Sequence, residues 1–201
     1  MVTLHPSLRP RASRPRSVFA LLRDRRAVAA VEFALLLPLM ITMFVGGNEI
    51  SQALAIFRKV GHTSSTLGDL VAQEADGLVT SELTDMLAAS SSVMTPYSAT
   101  SAQIVVSSVK YTTSGGFKVC WSRSQNATAW TAGSAPPVTI PTGIVTDGQE
   151  VIVTNVSYTY TSVFSTVMTD ILGSSSITLS DTSYFRPRVV TAVTYNGADC
   201  T

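Results

Sequence analysis

Charge is scarce in this chain. Of its 201 residues, 13 % are charged and 7 % are aromatic, and there are two histidines and two cysteines. Each shortage excludes something. The cysteines form no CxxC pair and His5 and His62 lie far apart, so no structural zinc set can be assembled and no metal is expected. No Gly-rich phosphate loop and no GxxxxGK[ST] motif is present. An enzyme needs a nucleophile with its base, a paired set of carboxylates or a metal. Here the distal acids Asp147, Glu150, Asp170, Asp181 and Asp199 are isolated and read mostly as turn residues, and His62 reads as a helix-surface residue. No catalytic residue and no cofactor is expected, and no internal repeat is visible.

The charge that is present is unevenly spread. Seven of the 14 Lys and Arg residues precede Ala27 (Arg9, Arg11, Arg14, Arg16, Arg23, Arg25 and Arg26), opposed only by Asp24. A basic tail can bind nucleic acid, but this one abuts an apolar run without interleaved aromatics, which points to a membrane and away from nucleic acid. The run extends from Ala27 to about Gly47, close to the ~20 residues that span a hydrocarbon core. Arg58 and Lys59 mark the far flank, so the arginine excess puts the N-terminus in the cytoplasm. A cleaved secretory signal would have a shorter apolar core and a small-residue site after it. A retained helix is expected instead, with Pro38 kinking it by removing the hydrogen bond to the Ala34 carbonyl.

Four regions follow: a basic cytoplasmic leader (1–27), a transmembrane helix (28–47), an amphipathic helical region (48–95) and an antiparallel sheet domain (96–201). Residues 1–16, rich in Arg, Pro and Ser, read as disordered. "SVFALLRDRR" reads as a short helix at the membrane face. One long helix is expected over about Val28 to Glu74, with a packing stripe of Ile50, Ala53, Phe57, Val60, Ser64, Leu67 and Val71. Ser64 weakens that stripe. "LVTSELTDMLAASSSVM" predicts a second helix capped by Thr80 or Ser81, with Leu83, Met86 and Leu87 on its apolar face.

After Pro96 the composition turns to Ser, Thr, Val and Tyr, as in strands. "SAQIVVSSVKYTT" and "FKVCWSRS" predict a hairpin about Ser114-Gly115-Gly116. "TAGSAPPVTIPTG" reads as a loop. "QEVIVTNVSYTYTS" predicts a strand with Ile152, Val156, Tyr158 and Tyr160 on one face, and "SSITLSDTSYFRPRVVTAVTY" one or two more. Arg186 and Arg188 read as guards of a sheet edge, and Trp121 and Trp130 as packing residues. Helices followed by strands give an α+β fold. Cys120 and Cys200 lie on the far side of the membrane segment, where an oxidising compartment would permit a disulfide. Two buried free thiols are the other reading.

Glu32 is the anomaly, an acid inside the apolar run. A charged side chain at mid-bilayer costs on the order of 2.5–3.5 kcal/mol even on insertion scales. Either Glu32 snorkels to the cytoplasmic interface, or it pairs with a cation inside the membrane. The stretch "RRAVAAVEFALLLPLM" resembles the start of the TadE-like family, minor pseudopilins of the tight-adherence (Tad) pilus system. The resemblance rests on Arg25-Arg26, the small residue Ala27, four residues, Glu32-Phe33 and the early Pro38. It implies cleavage between Ala27 and Val28 by a prepilin peptidase, with Ala27 standing where glycine is typical. Glu32 becomes the fifth residue of the mature chain and the assembly glutamate, paired with the new α-amino group of a neighbouring subunit. It further implies a non-enzymatic, membrane-anchored assembly factor of a type IVb (Flp) pilus in an inner membrane, its distal domain periplasmic. Its partners would be other pilins, pseudopilins and inner-membrane platform proteins. A single-pass envelope protein whose outer domain binds another envelope component without a filament is the alternative.

Overall fold

The computed structural model describes residues 25–162, 164, 169–170, 173–198 and 200. The leader readings over 1–16 and "SVFALLRDRR" fall mainly outside them. Two helices and four strands make up the fold: α1 (Arg25–Ala72), α2 (Thr80–Ser92), β1 (Ala102–Thr112), β2 (Gly116–Gln125), β3 (Glu150–Thr161) and β4 (Ser176–Phe185). All pairings are antiparallel, in the order β2-β1-β3-β4, so the chain is α+β. It divides into two compact units, Met1–Asn48 and Glu49–Thr201.

Within the second unit, one sheet face packs on the helices. Ile104, Val106, Trp121, Ile152, Val156, Tyr158 and Tyr160 join Ile56, Val60, Leu67 and Val71 of α1 and Leu83 and Leu87 of α2 in one core. The period-2 alternation of β3 aims the residues anticipated for that face inward, while Val151 and Val153 point to the opposite face. There the segment between β2 and β3 covers the sheet with Ile140 and Val145. The predicted hairpin and loop are both present.

Three local expectations are corrected. The buried line of α1 starts one residue earlier than the predicted stripe: Glu49 and Ile56 are buried, whereas Ile50 is 71 % and Phe57 43 % exposed. A helix lying on a sheet follows the contour of that sheet and need not present the a/d seam that faces a second helix. The cap of α2 is Val79, whose N–H donates to Oε2 of Glu82 at 3.1 Å. Thr80 instead shares its hydroxyl with the Tyr195 hydroxyl at 2.8 Å. Arg186 and Arg188 follow the end of edge strand β4 and serve other contacts. Arg186 Nε donates to the Ile144 carbonyl at 2.6 Å, and Arg188 pairs with Asp69 at 2.6 Å and caps α1 through its N–H to the Ala72 carbonyl.

A β-bulge separates Ser108 from Val109: Ser108 faces Trp121 and Val109 faces Val119, leaving Cys120 as the extra residue of β2. The bulge lets Val119 reach the loop-covered core while Trp121, two residues on, enters the helix-covered one. Gly68 permits a close approach of α1 to the sheet, since a Cβ there would overlap the Phe185 ring.

Candidate membrane anchor and assembly site

Helix α1 continues from Arg25 through Ala27, Val28, Glu32 and Pro38 without a break. Every residue from Val28 to Phe44 is exposed, including Val31 at 67 %, Phe33 at 59 % and Phe44 at 79 %. In a water-soluble domain such a face would have to be covered. Among the described residues, one helix (Val28–Ala72) is long and apolar enough to cross a membrane. Glu32 is exposed within that surface, about one helical turn beyond Ala27 and Val28. Thr42 Oγ1 donates to the Pro38 carbonyl at 2.8 Å, one turn back along the helix. The hydroxyl thus finds a partner within its own helix, an arrangement tolerated in a bilayer.

In the second unit Asp147 lies at a turn as expected, whereas Glu150 and Asp181 lie in strands. Glu150 is 4 % exposed and accepts from Ser108 Oγ at 2.7 Å, and so is a buried strand residue. It lies with Cys120 and Cys200 in a group whose potential ligand atoms all fall within 4.8 Å. The two sulfurs, however, are joined to each other as a disulfide with a Cα–Cα distance of 4.6 Å, so they are not free thiolates for a metal. The bond ties the end of the chain to β2. Trp121 Nε1 donates to the Val193 carbonyl at 2.6 Å, and Arg123 lies 4.4 Å from the centroid of the Tyr195 ring, which holds the same terminal segment down. Trp130 packs against the loop-covered core, and His62 is exposed on α1.

Glu49 is the site residue that the sequence reading missed. It is 4 % exposed; its Oε2 accepts from the Tyr160 hydroxyl at 2.8 Å, and its Oε1 has no hydrogen-bond partner. Burial, reinforced by the hydrogen bond and charge of Glu49, pushes the Tyr160 hydroxyl up to about 12. The signal was available as an acid at the foot of an apolar run, but only the fold brings Tyr160 to it.

No curated protein and no solved structure matches this chain. The family model of TadE-like protein matches residues 27–65, from the small residue before Val28 to the part of α1 that packs on the sheet. That family is the one suggested by Arg25-Arg26, Glu32-Phe33 and Pro38. Over residues 27–65, therefore, the chain is similar to the TadE-like family, and this stretch includes the helix segment apolar enough to cross a membrane.

Proposed function

We propose that the protein is a non-enzymatic minor pseudopilin, or assembly factor, of a Tad-type pilus. A prepilin peptidase cleaves it between Ala27 and Val28. Residues 28–47 anchor it in an inner membrane with the leader cytoplasmic and the α+β domain periplasmic. Pro38 supplies a kink for packing against other pilins, pseudopilins and platform helices. The observation that carries this reading is the TadE-like match over residues 27–65, with Glu32 in its exposed apolar helix. An α-amino group meeting Glu32 in low dielectric is register-specific, because breaking such a pair strands a buried charge at a cost of several kcal/mol. The disulfide between Cys120 and Cys200 suits an oxidising periplasm.

The test is the N-terminus of protein purified from its native membrane, by intact mass and terminal sequencing. A start at Val28 is expected. A start at Met1 would move the protein to the alternative, a single-pass envelope protein working through its outer domain alone.

A further inference from the structure

The two edges of the sheet are built differently. Edge strand β2 carries the bulge at Cys120 and the exposed charges of Lys118 and Arg123. The segment after it also covers it: Val119 N–H donates to the Ser134 carbonyl at 2.9 Å, and Gly133 N–H to the Val119 carbonyl at 2.7 Å. Bulges, charges and covering loops are the devices that keep a foreign strand off an edge.

Edge strand β4 has ten residues with no proline and no bulge, and it pairs with β3 alone. Ser162 N–H donates to the Ser175 carbonyl at 3.1 Å, in the register of the β3–β4 ladder. Hydrogen-bonded pairs alternate along an antiparallel ladder, so the odd-numbered residues of β4 bond to β3 and the even-numbered ones turn their N–H and C=O outward. The Ser174 hydroxyl satisfies both outward groups of Ser176, at 3.3 Å and 2.9 Å. Those of Thr178, Ser180 and Thr182 have no protein partner among the described residues.

Two features beside this edge select what fits it. One flank of α1 lies over β4, since a Cβ added at Gly61 would come within 4.0 Å of Asp181 Cγ and one at Gly68 would overlap the Phe185 ring. Leu54 and Phe57, seven and four residues before Gly61, share that flank and are 48 % and 43 % exposed. Ile50 and Ile177 lie together at the start of the strand, and both are exposed. The strip is apolar and open. Asp181, the one charge of β4, is turned toward α1 and accepts from the Ser183 hydroxyl at 3.3 Å. A strand laid along β4 would set alternate side chains under the α1 flank and one of them opposite Asp181.

We propose that the outer edge of β4 accepts an extended segment of another polypeptide, with apolar residues on the side of α1 and a lysine or arginine opposite Asp181. Main-chain hydrogen bonds supply the affinity and the alternating side chains choose the partner. β4 of a second copy contains no cation to meet Asp181. The site belongs to the second compact unit alone and stands whether or not the chain is cleaved at Ala27.

The test adds synthetic peptides to the full chain in detergent and follows amide hydrogen exchange at Thr178, Ser180 and Thr182. The peptides alternate valine and threonine, with either lysine or glutamate in place of the central valine. The lysine peptide is expected to slow exchange of the three amides about tenfold or more, and to bind about fivefold more tightly than the glutamate peptide. Asp181→Lys should reverse that preference. Ser180→Pro, which removes an outward donor and leaves the bonds to β3 in place, should weaken binding about fivefold. Circular dichroism checks the fold of both variants, and Asp181→Lys, which keeps every backbone donor, decides the matter if Ser180→Pro does not fold. Exchange unchanged by the lysine peptide, slowing at other amides only, equal binding of the two peptides, or unaltered binding to folded Ser180→Pro overturns the proposal. So does slow exchange of the three amides without peptide. If independent of concentration, it would mean that the chain covers its own edge; if rising with concentration, that a second copy does.

Discussion

Ser64 and Thr154 hold each other's backbone where α1 crosses β3. Thr154 Oγ1 donates to the Ser64 carbonyl at 2.9 Å, and Ser64 Oγ donates to the Thr154 carbonyl at 3.2 Å. Both residues are fully buried. The serine that looked like a flaw in an apolar stripe is thus half of a reciprocal polar contact between helix and sheet. A buried hydroxyl is tolerated when its bonding is satisfied, and each such bond contributes on the order of 1 kcal/mol.

Replacing that pair tests its role. Thr154→Val should cost about 1–2 kcal/mol by removing one donor. Ser64→Leu, which would complete the apolar stripe, should cost about 1–3 kcal/mol through overpacking. Urea unfolding of the full chain in detergent measures both, read from midpoints at unchanged slope. A more stable Ser64→Leu would contradict the packing described.

Gly68→Ala should destabilise by about 1–3 kcal/mol, because the added methyl falls on the Phe185 ring. In a double-mutant cycle, Phe185→Leu should relieve part of that cost, giving a coupling above about 0.5 kcal/mol. Strict additivity would mean that the helix yields elsewhere.

The disulfide closes a sequence separation of 80 residues, for which chain entropy predicts about 4 kcal/mol of stabilisation. Cys120→Ser with Cys200→Ser should therefore lower unfolding free energy by about 3–4 kcal/mol. The terminal segment should loosen first. Trp121, bonded to the Val193 carbonyl, reports this as a fluorescence shift before the global transition.

Alkaline titration follows from Tyr160, raised from 10.0 to about 12 by burial first and by Glu49 second. A raised folded-state value favours the neutral phenol. Its stabilising contribution is complete below the unfolded value near 10 and is lost as pH rises through about 12. Absorbance at the phenolate band, on the order of 295 nm, should show Tyr160 ionising late, with Tyr184, which burial also raises, late as well. Glu49→Gln should bring that step down while leaving it above the ordinary value, since burial persists.

Glu32→Ala should abolish or strongly reduce filament assembly while leaving membrane insertion intact or improved, because an acid in the apolar run costs on the order of 2.5–3.5 kcal/mol at mid-bilayer. Pilus yield and membrane fractionation, scored side by side, separate the two effects. Assembly equal to wild type would remove the intersubunit pairing role.

The long helix, the hairpin, the β3 face and the TadE-like segment could all be read from local pattern. Hydrophobic period, turn residues and a short motif are properties of neighbouring residues. The inward turn of Glu49 and Ile56 in place of Ile50 and Phe57 could not be read, because it depends on which face of α1 meets the sheet. Nor could the α2 cap at Val79, since Thr80 is drawn off by Tyr195, far away in sequence.

By itself, then, the sequence determined a long apolar helix with one acid near its start, a basic stretch before it and an α+β order of elements, all consequences of composition and spacing along the chain. Only the tertiary structure decided the rest. It aimed the bulge residue Cys120 at Cys200, buried Glu150 in a strand, and set Glu49 beside Tyr160 with one oxygen unanswered. These are meetings of residues 42 to 111 positions apart. Such pairs are settled by strand register and by the line along which a helix lies on a sheet, quantities that no local window of sequence contains.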